Sequence, residues 1–441
     1  MNSTIFDYLY PTFKINKPIR LIELFAGYGS QALALKYLGV QFEQYKICEW
    51  AIKSIQAYKD IHFPNTQYWK DKEDCTISKE KLQELLYEVG ISQNYNEPMK
   101  LEQIKRLSHE QLLRIYENIM ITNNLVNIQG TKGKDLEIED TDKYDYILTY
   151  SFPCQDLSLA GKGKGMSDTS TRSGMLWEVE RILSECKELG SLPQVLLMEN
   201  VPQVHGQDNV KDFNRWQLKL ENLGYKNYFK DLIATDYGIP QTRNRCFMVS
   251  VLGDYNYVFP KPQQLNSTLS DFLEKEVSDK YLVKPGTVKC FMTQKDNGFP
   301  RRERFLESLE LTNKKKLAAT ITASQGSKAT DNHILVKNAS KKGYLEAKMG
   351  DGIDISSRME YHRGTVQKNK SQTLTTQINV GTLTNDLKIR TLTPKECFRL
   401  MGVKDEDYEK VRKNQSERSL YHLAGDSIVV NVLMAIFKEM L

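Results

Sequence analysis

Through the first 260 or so residues, short apolar runs alternate with segments whose hydrophobic residues recur every three or four positions. The runs Leu21-Ile22-Glu23-Leu24-Phe25, 44–48, Tyr146-Ile147-Leu148-Thr149-Tyr150, Val195-Leu196-Leu197-Met198, 225–234 and 246–252 read as strands. Segments 31–38, 175–189 and 208–223 read as helices. This alternation predicts an α/β sheet of the nucleotide-binding kind. Residues 71–140 break the rhythm. Leu82, Leu85, Leu86 and Val89 give 78–89 a helical period, and Leu101, Ile104, Leu112, Ile115 and Ile119 suggest a second helix, so a helical insertion is expected there.

After Pro260-Lys261-Pro262 the grammar changes. Residues 263 to about 388 are rich in Lys, Thr, Ser, Asn and Gly, with short β-like runs such as Ala319-Thr320-Ile321-Thr322-Ala323 and Gln372-Thr373-Leu374-Thr375-Thr376. A second, smaller and mostly β or irregular domain is expected. Thr393, Pro394 and Glu396 then fit the N-cap, first and third positions of a helix. A last helix over 428–441, with Ile428, Val432 and Ile436 on one face, should return to the first domain. The expected division is 1–262, 263–402 and 403–441.

Composition narrows the classes. At 441 residues and 40% hydrophobic, the chain can bury a real core and is not generally disordered. A net charge of +5 and a pI near 8.5 are compatible with nucleic acid but weak evidence alone. Seven cysteines lie far apart, with no CxxC pair and no histidines clustered beside them in sequence. Neither a zinc site nor a disulfide framework is expected, and reduced thiols suit the cytoplasm. The first twenty residues lack a signal-type apolar core, and no run reads as long enough to span a membrane.

Candidate chemistry sits where strands end. Ala26-Gly27-Tyr28-Gly29-Ser30 is a tight turn between strand and helix, and an acid, Glu49, followed by Trp50, closes the second strand. That spacing suits a cofactor's ribose and adenine, although a plain turn and a surface acid fit this stretch equally. Phe152-Pro153-Cys154 presents a thiol in a defined direction, followed by Gly161-Lys162-Gly163-Lys164-Gly165. Alone, such a cysteine is more often a half-buried small hydrophobe. Glu199-Asn200 ends the fourth strand, and Arg243 and Arg245 stand two apart, facing one way if the chain is extended.

The ordered set Phe25-Ala26-Gly27-x-Gly29, Glu49-Trp50, Phe152-Pro153-Cys154-Gln155, Glu199-Asn200-Val201, Gln241-x-Arg243-x-Arg245, Arg390-x-Leu392-x-Pro394-x-Glu396 and Gly425-Asp426-Ser427 resembles the DNA (cytosine-5)-methyltransferases of prokaryotic restriction-modification systems. The resemblance implies a Rossmann-like, S-adenosylmethionine-dependent methyltransferase sheet with a target-recognition domain at 263–388. It implies Cys154 as nucleophile on a cytosine flipped from duplex DNA, with Glu199 and Arg245 holding the base and Arg243 supporting them. It implies cofactor contacts from Phe25, Ala26, Gly27, Gly29, Glu49, Trp50, Leu176, Asp426 and Ile428. It places Gln155, Ser158, Lys162, Lys164, Gln241, Thr373 and Leu374 against DNA, and implies a monomer without metal, acting beside a cognate restriction endonuclease or as an orphan. The chain departs from the family pattern at Ser30, where a third glycine is usual, and at Asp426, where asparagine is usual. The acid that contacts the cofactor's adenine has no clear match, with Asn127-Ile128 and the Asp135 region as candidates. Two other readings stay open. An RNA-modifying branch shares the catalytic parts, but Phe152 and the long recognition segment argue against it. A DNA-binding regulator on an inactive scaffold is opposed by the intact Cys154, Glu199 and Arg245. A Rossmann dehydrogenase would leave Cys154 and the arginine pair unexplained.

Overall fold

The structure is a computed structural model that describes residues 10–69, 77–153, 173–283, 333–337, 344–355, 365–384 and 388–441. Cys154, Gln155, Ser158, Lys162, Lys164 and the 319–323 run lie outside the described residues.

Six strands form the main sheet: β1 (Ile19–Leu24), β2 (Phe42–Cys48), β3 (Asp145–Tyr150), β4 (Val195–Asn200), β5 (Tyr225–Ile233) and β6 (Asn244–Leu252), in the order β2-β1-β3-β4-β6-β5. β1 pairs in parallel with β2 and β3, and β3 with β4. β6 runs antiparallel between β4 and β5. Every residue of β3 and β4 is buried, which explains their unbroken apolar runs: both faces of the sheet are covered.

Alternate side chains feed two cores. Leu21, Ile147, Val195, Leu197, Phe247 and Val249 join one, which α1 (Ser30–Tyr37) and the terminal helix Val430–Lys438 complete. Ile22, Leu24, Leu148, Tyr150, Leu196 and Met198 join the other, beneath α6 (Leu176–Glu188) and α7 (Val210–Leu223). There the fully buried Trp216 donates from Nε1 to the Tyr150 hydroxyl at 3.1 Å.

The 71–140 segment holds α3 (Lys79–Glu88), α4 (Leu101–Lys105) and α5 (His109–Ile121). The expected second helix is therefore two. Ser108 caps α5 by accepting from Gln111 N at 3.1 Å while the Gln111 side chain returns to Ser108 N at 2.9 Å, and this box restarts the helix. Leu82, Leu86, Ile104, Leu112 and Ile119 form a satellite core with Val126 and with Ile55 of α2 (Ile52–His62).

Beyond residue 262, β7 (His333–Lys337) and β8 (Tyr344–Lys348) form a hairpin. β9 (Gly352–Asp354), β10 (Val366–Gln367), β11 (Val380–Leu383) and β12 (Ile389–Thr391) form a second sheet in the order β10-β9-β11-β12. The 372–376 run is not a strand. Its neighbourhood is pinned to the main domain instead, with Ser371 N donating to Pro240 O at 2.7 Å and Thr242 N to Ser371 O at 2.9 Å.

Glu417–Lys438 holds an 18-residue stretch of mean hydropathy 1.6, enough to cross a membrane by length and composition alone, but the segment breaks into Glu417–Asp426 and Val430–Lys438 and is mostly buried in the core.

Thr393 caps the helix Pro394–Leu400 as its sequence predicts. The partner of Glu396 is less obvious. Its fully buried carboxylate takes two bonds from Arg390, at 2.7 and 2.8 Å, and one each from Thr393 N and Glu274 N at 2.8 Å. Glu396→Ala should strand a buried guanidinium and cost about 3–5 kcal/mol, whereas an exposed change such as Glu406→Ala should cost little. Denaturant midpoints of the two variants check this.

Candidate active site

Four parallel strands and the loops that follow them, with the start of β6, bring the described site residues to the carboxyl ends of those strands, where parallel α/β sheets bind ligands. β1 ends in a turn of unusual backbone, with Phe25, Gly27 and Gly29 at φ 59°, 56° and 81°. Phe25 N donates to Cys48 O at 2.8 Å, tying this turn to the end of β2. Glycine is required at 29: a Cβ there would lie 2.4 Å from His62 Nε2 and 2.6 Å from the Tyr58 ring. At Gly27 the space a Cβ would occupy is open, so the backbone itself faces the cleft.

Glu49 locks the turn. Its carboxylate accepts from Gly27 N at 2.9 Å and from Ala51 N at 2.7 Å. Its backbone is held by Asn124, which accepts from Glu49 N at 3.0 Å and donates to Glu49 O at 2.9 Å. Burial, with the Asp426 charge adding to it, raises the Glu49 carboxyl to about 7. Trp50 is half-buried against the satellite core of the insertion. Leu176 is fully buried at the start of α6, Ala26 and Ile428 are buried, and Asp426 is exposed at the end of its helix. Ser427 Oγ donates to the buried Tyr28 hydroxyl at 2.6 Å, so the C-terminal turn seats directly on the glycine turn.

A second group gathers at the ends of β3 and β4. Arg245 Nε lies 3.1 Å from Glu199 Oε1. Burial nevertheless outweighs Arg245 and Arg243 and holds the Glu199 carboxyl above its ordinary range, with Asp426 again adding. Asn200, beside it, donates from Nδ2 to Phe152 O at 3.0 Å and accepts from Val201 N at 2.8 Å. That clamp fixes the peptide leading into Pro153 and position 154.

Arg243 does not face the same way as Arg245. It is 4% exposed, and its guanidinium donates to Leu374 O at 3.0 Å, Gly425 O at 3.2 Å and Ser427 O at 2.7 Å. It joins the sheet, the 371–374 strap and the C-terminal turn, a positioning role. Gln241 requires a correction. Its side chain is fully buried, donating to Leu400 O at 2.8 Å and accepting from Leu374 N at 3.1 Å, so it has no amide to offer DNA. Leu374 is likewise buried, and the Thr373 hydroxyl donates to Thr242 O at 3.0 Å. The exposed residues of the strap are Thr375, Thr376, Gln377 and Ile378.

Asn124 escaped sequence reasoning, and Asn200 was singled out only as part of a motif with no role, because each acts on backbone far away in the chain. One further juxtaposition was hidden by sequence distance: His205, Asp231 and Cys246 bring their ligand atoms within 4.8 Å of one another, with His205 Nε2 2.9 Å from Asp231 Oδ1.

A glycine turn locked by a buried acid, beside an acid–arginine pair at a strand end, defines a cofactor-dependent enzyme on an α/β sheet. The family model described as C-5 cytosine-specific DNA methylase matches residues 104–441, and the chain belongs to that family. It is 31% identical over 426 residues to the Type II methyltransferase M2.ScrFI of Lactococcus lactis subsp. cremoris, covering 96% of this chain and 99% of that one. It is 37% identical over 273 residues to the orphan methyltransferase M.SssI of Spiroplasma monobiae, covering 60% and 68%. A DNMT2 structure from Spodoptera frugiperda shares the fold, with a TM-score of 0.52 at 17% identity, covering 96% of this chain and 99% of that one.

Asn200→Ala should release the Phe152 carbonyl. Because small misplacements at a reacting centre are costly, methyl transfer should fall about 100-fold, while S-adenosylmethionine affinity stays unchanged. Single-turnover kinetics and calorimetric titration on the same preparation separate the two.

Proposed function

We propose that this chain methylates C5 of a target cytosine in duplex DNA, as the modification half of a restriction-modification system or as an orphan. The observation that carries the reading is the Glu199–Arg245 pair beside an Asn200 clamp on the chain entering position 154, at the same sheet edge as the Glu49-locked turn. A cognate endonuclease would act separately, and the enzyme would work as a monomer.

The residues present fit S-adenosylmethionine. The turn offers open backbone at Gly27, a buried acid and a neighbouring Trp50. Phe25, Ala26, Gly27, Gly29, Glu49, Trp50, Leu176, Asp426 and Ile428 would hold it. When bound, it supplies an electrophilic methyl group.

Cytosine C5 is a poor nucleophile, and the protein's task is to make it a better one. The Cys154 thiolate adds to C6, moving electron density toward N3 and C5. Glu199, whose carboxyl burial raises above its ordinary range, donates its proton to N3 as the bond forms. Arg245 donates to O2 and favours the thiolate. After methylation a base takes the C5 proton, the C6–sulfur bond breaks to release the Cys154 thiolate, and N3 returns its proton to Glu199, which restores the aromatic ring. The base must first leave the stack, at a cost of a few kcal/mol that pocket contacts offset. Lys162 and Lys164 would meet phosphate, which makes affinity fall with salt.

An oligonucleotide carrying 5-fluorocytosine at the target blocks proton loss and should trap a covalent adduct on Cys154. Cys154→Ala should give no adduct and still bind cofactor. A folded, cofactor-loaded native sample that forms no adduct on its target overturns the mechanism.

The pH dependence has a definite sign. Glu199 works in its protonated form, and its folded carboxyl lies above the ordinary range. Adduct formation should therefore decline as pH rises through that raised value. Glu199→Gln should lower the rate about 10²–10⁴-fold and flatten this limb; a limb unchanged in the variant assigns the proton to another group.

A further inference from the structure

One stacked pair at the cofactor cleft has polar atoms that the fold leaves unused. Tyr95 lies in the loop between α3 and α4, and His422 on the helix Glu417–Asp426. Their rings stack with centroids 4.1 Å apart and planes 19° apart. The Tyr95 hydroxyl and His422 Nδ1 are both buried, and neither makes a hydrogen bond of good geometry among the described residues, the hydroxyl having only a poorly aligned contact with the Ser54 side chain. Buried polar groups are normally satisfied, so two orphans in one stacked pair point to a missing ligand.

The loop is built to hold Tyr95 there. Ser92 N donates to Trp50 O at 2.7 Å and Ile52 N to Ser92 O at 2.9 Å, which ties the loop to the segment that follows Glu49. Tyr95 itself sits at φ 63°, a left-handed conformation that is strained for an aromatic residue. Its neighbours hold that strain in place. Asn94 Oδ1 accepts from Asn96 N at 2.9 Å and Glu97 N at 3.2 Å, and Ser92 Oγ donates to Glu97 O at 2.7 Å.

The charges around the pair act on both rings. Burial, then the Glu49 and Asp426 carboxylates, push the Tyr95 phenol up, with Ser54 opposing. Burial pushes the His422 imidazole down, Asp426 opposes, and Lys53 and Arg418 add to the effect. The pair is thus neutral, with hydroxyl and ring nitrogen both able to bond a ligand. The Asp426 charge acts on Glu49, Glu199, Tyr95 and His422 alike. The backbone gives the place: the loop of Tyr95 is bonded to the segment that follows Glu49, and His422 stands one turn before Asp426 on the same helix.

We propose that Tyr95 and His422 are cofactor-positioning residues that complete the S-adenosylmethionine pocket, bonding polar groups of its ribose–methionine half. The proposal rests on the cofactor reading above, and it gives the helical insertion a function beyond covering the sheet.

The test uses the full-length chain and three variants, with S-adenosylmethionine titrated by calorimetry and cofactor-free unfolding followed by circular dichroism. Tyr95→Phe keeps the stack and removes the hydroxyl. His422→Phe keeps the stack and removes the ring nitrogens. Each should raise Kd about fivefold with an unchanged cofactor-free melting temperature, the loss expected for one hydrogen bond. Tyr95→Gly relieves the backbone strain. It should leave cofactor-free stability equal or higher while raising Kd about tenfold or more, a combination that a merely structural residue would not give. Kd values within about twofold of native in all three variants overturn the proposal, whatever their stability. A native chain that binds no S-adenosylmethionine sinks the cofactor reading itself, and the pair's assignment with it.

Discussion

The arrangement of the site depends on the burial of one guanidinium. Arg243 is almost wholly removed from water, which is tolerable only because its donors meet carbonyl oxygens. Those carbonyls belong to Leu374, Gly425 and Ser427, more than a hundred residues away in sequence. The polar backbone of a strap and of a helix end is thereby satisfied by the same side chain. Gly425 shows how tight the junction is: a Cβ there would fall 2.1 Å from the carbonyl of Thr375. No other residue type fits without moving the strap. The fixed strap in turn orders the exposed 375–378 segment at the rim.

From that junction the cleft is built by backbone satisfaction more than by side-chain attraction. Glu49 spends its carboxylate on two amides, Asn124 spends its amide on the Glu49 peptide, and Asn200 spends its amide on the Phe152 carbonyl. Each bond ties the end of one strand, or the loop leaving it, to a neighbouring segment. The turn after β1, the acid after β2, the loop after β3 and the end of β4 therefore behave as one unit. Rigidity of this kind suits an enzyme whose reacting groups must be aligned before the bond to the base forms.

The sheet was legible in the sequence because β3 and β4 are covered on both faces, and full burial leaves an apolar run that solvent-facing strands do not show. The Thr393 cap was legible because its partners lie within one turn. The residues misjudged or missed act across long sequence separations. Gln241 reads as a polar residue beside two arginines, and only the fold reveals that Leu400 and Leu374 consume its amide. Arg243 and Arg245 read as a matched pair, but the ladder of β6 begins at Asn244, and the residue before it turns into the domain junction. Asn124 is invisible in sequence because its partner, Glu49, is 75 positions away. Local rules identify elements and caps; they do not say which distant backbone group a side chain will satisfy.

The cleft also concentrates negative charge. Glu49 and Glu199 are buried, Asp426 stands near both, and burial raises both buried carboxyls. Burial in low dielectric favours the protonated form of Glu49 and Glu199, and the charge of the exposed Asp426 adds to that. Only Glu199 has an arginine at salt-bridge distance among the described residues. Glu49 depends on amide donors alone, and these serve the neutral and the ionised acid unequally. The asparagine-to-aspartate departure at 426 therefore does more than exchange one cofactor contact. Its charge adds to the environment of Glu49, Glu199 and the stacked Tyr95–His422 pair together. Burial is the larger cause at each of these groups, and the exposed carboxylate at the helix end acts on top of it.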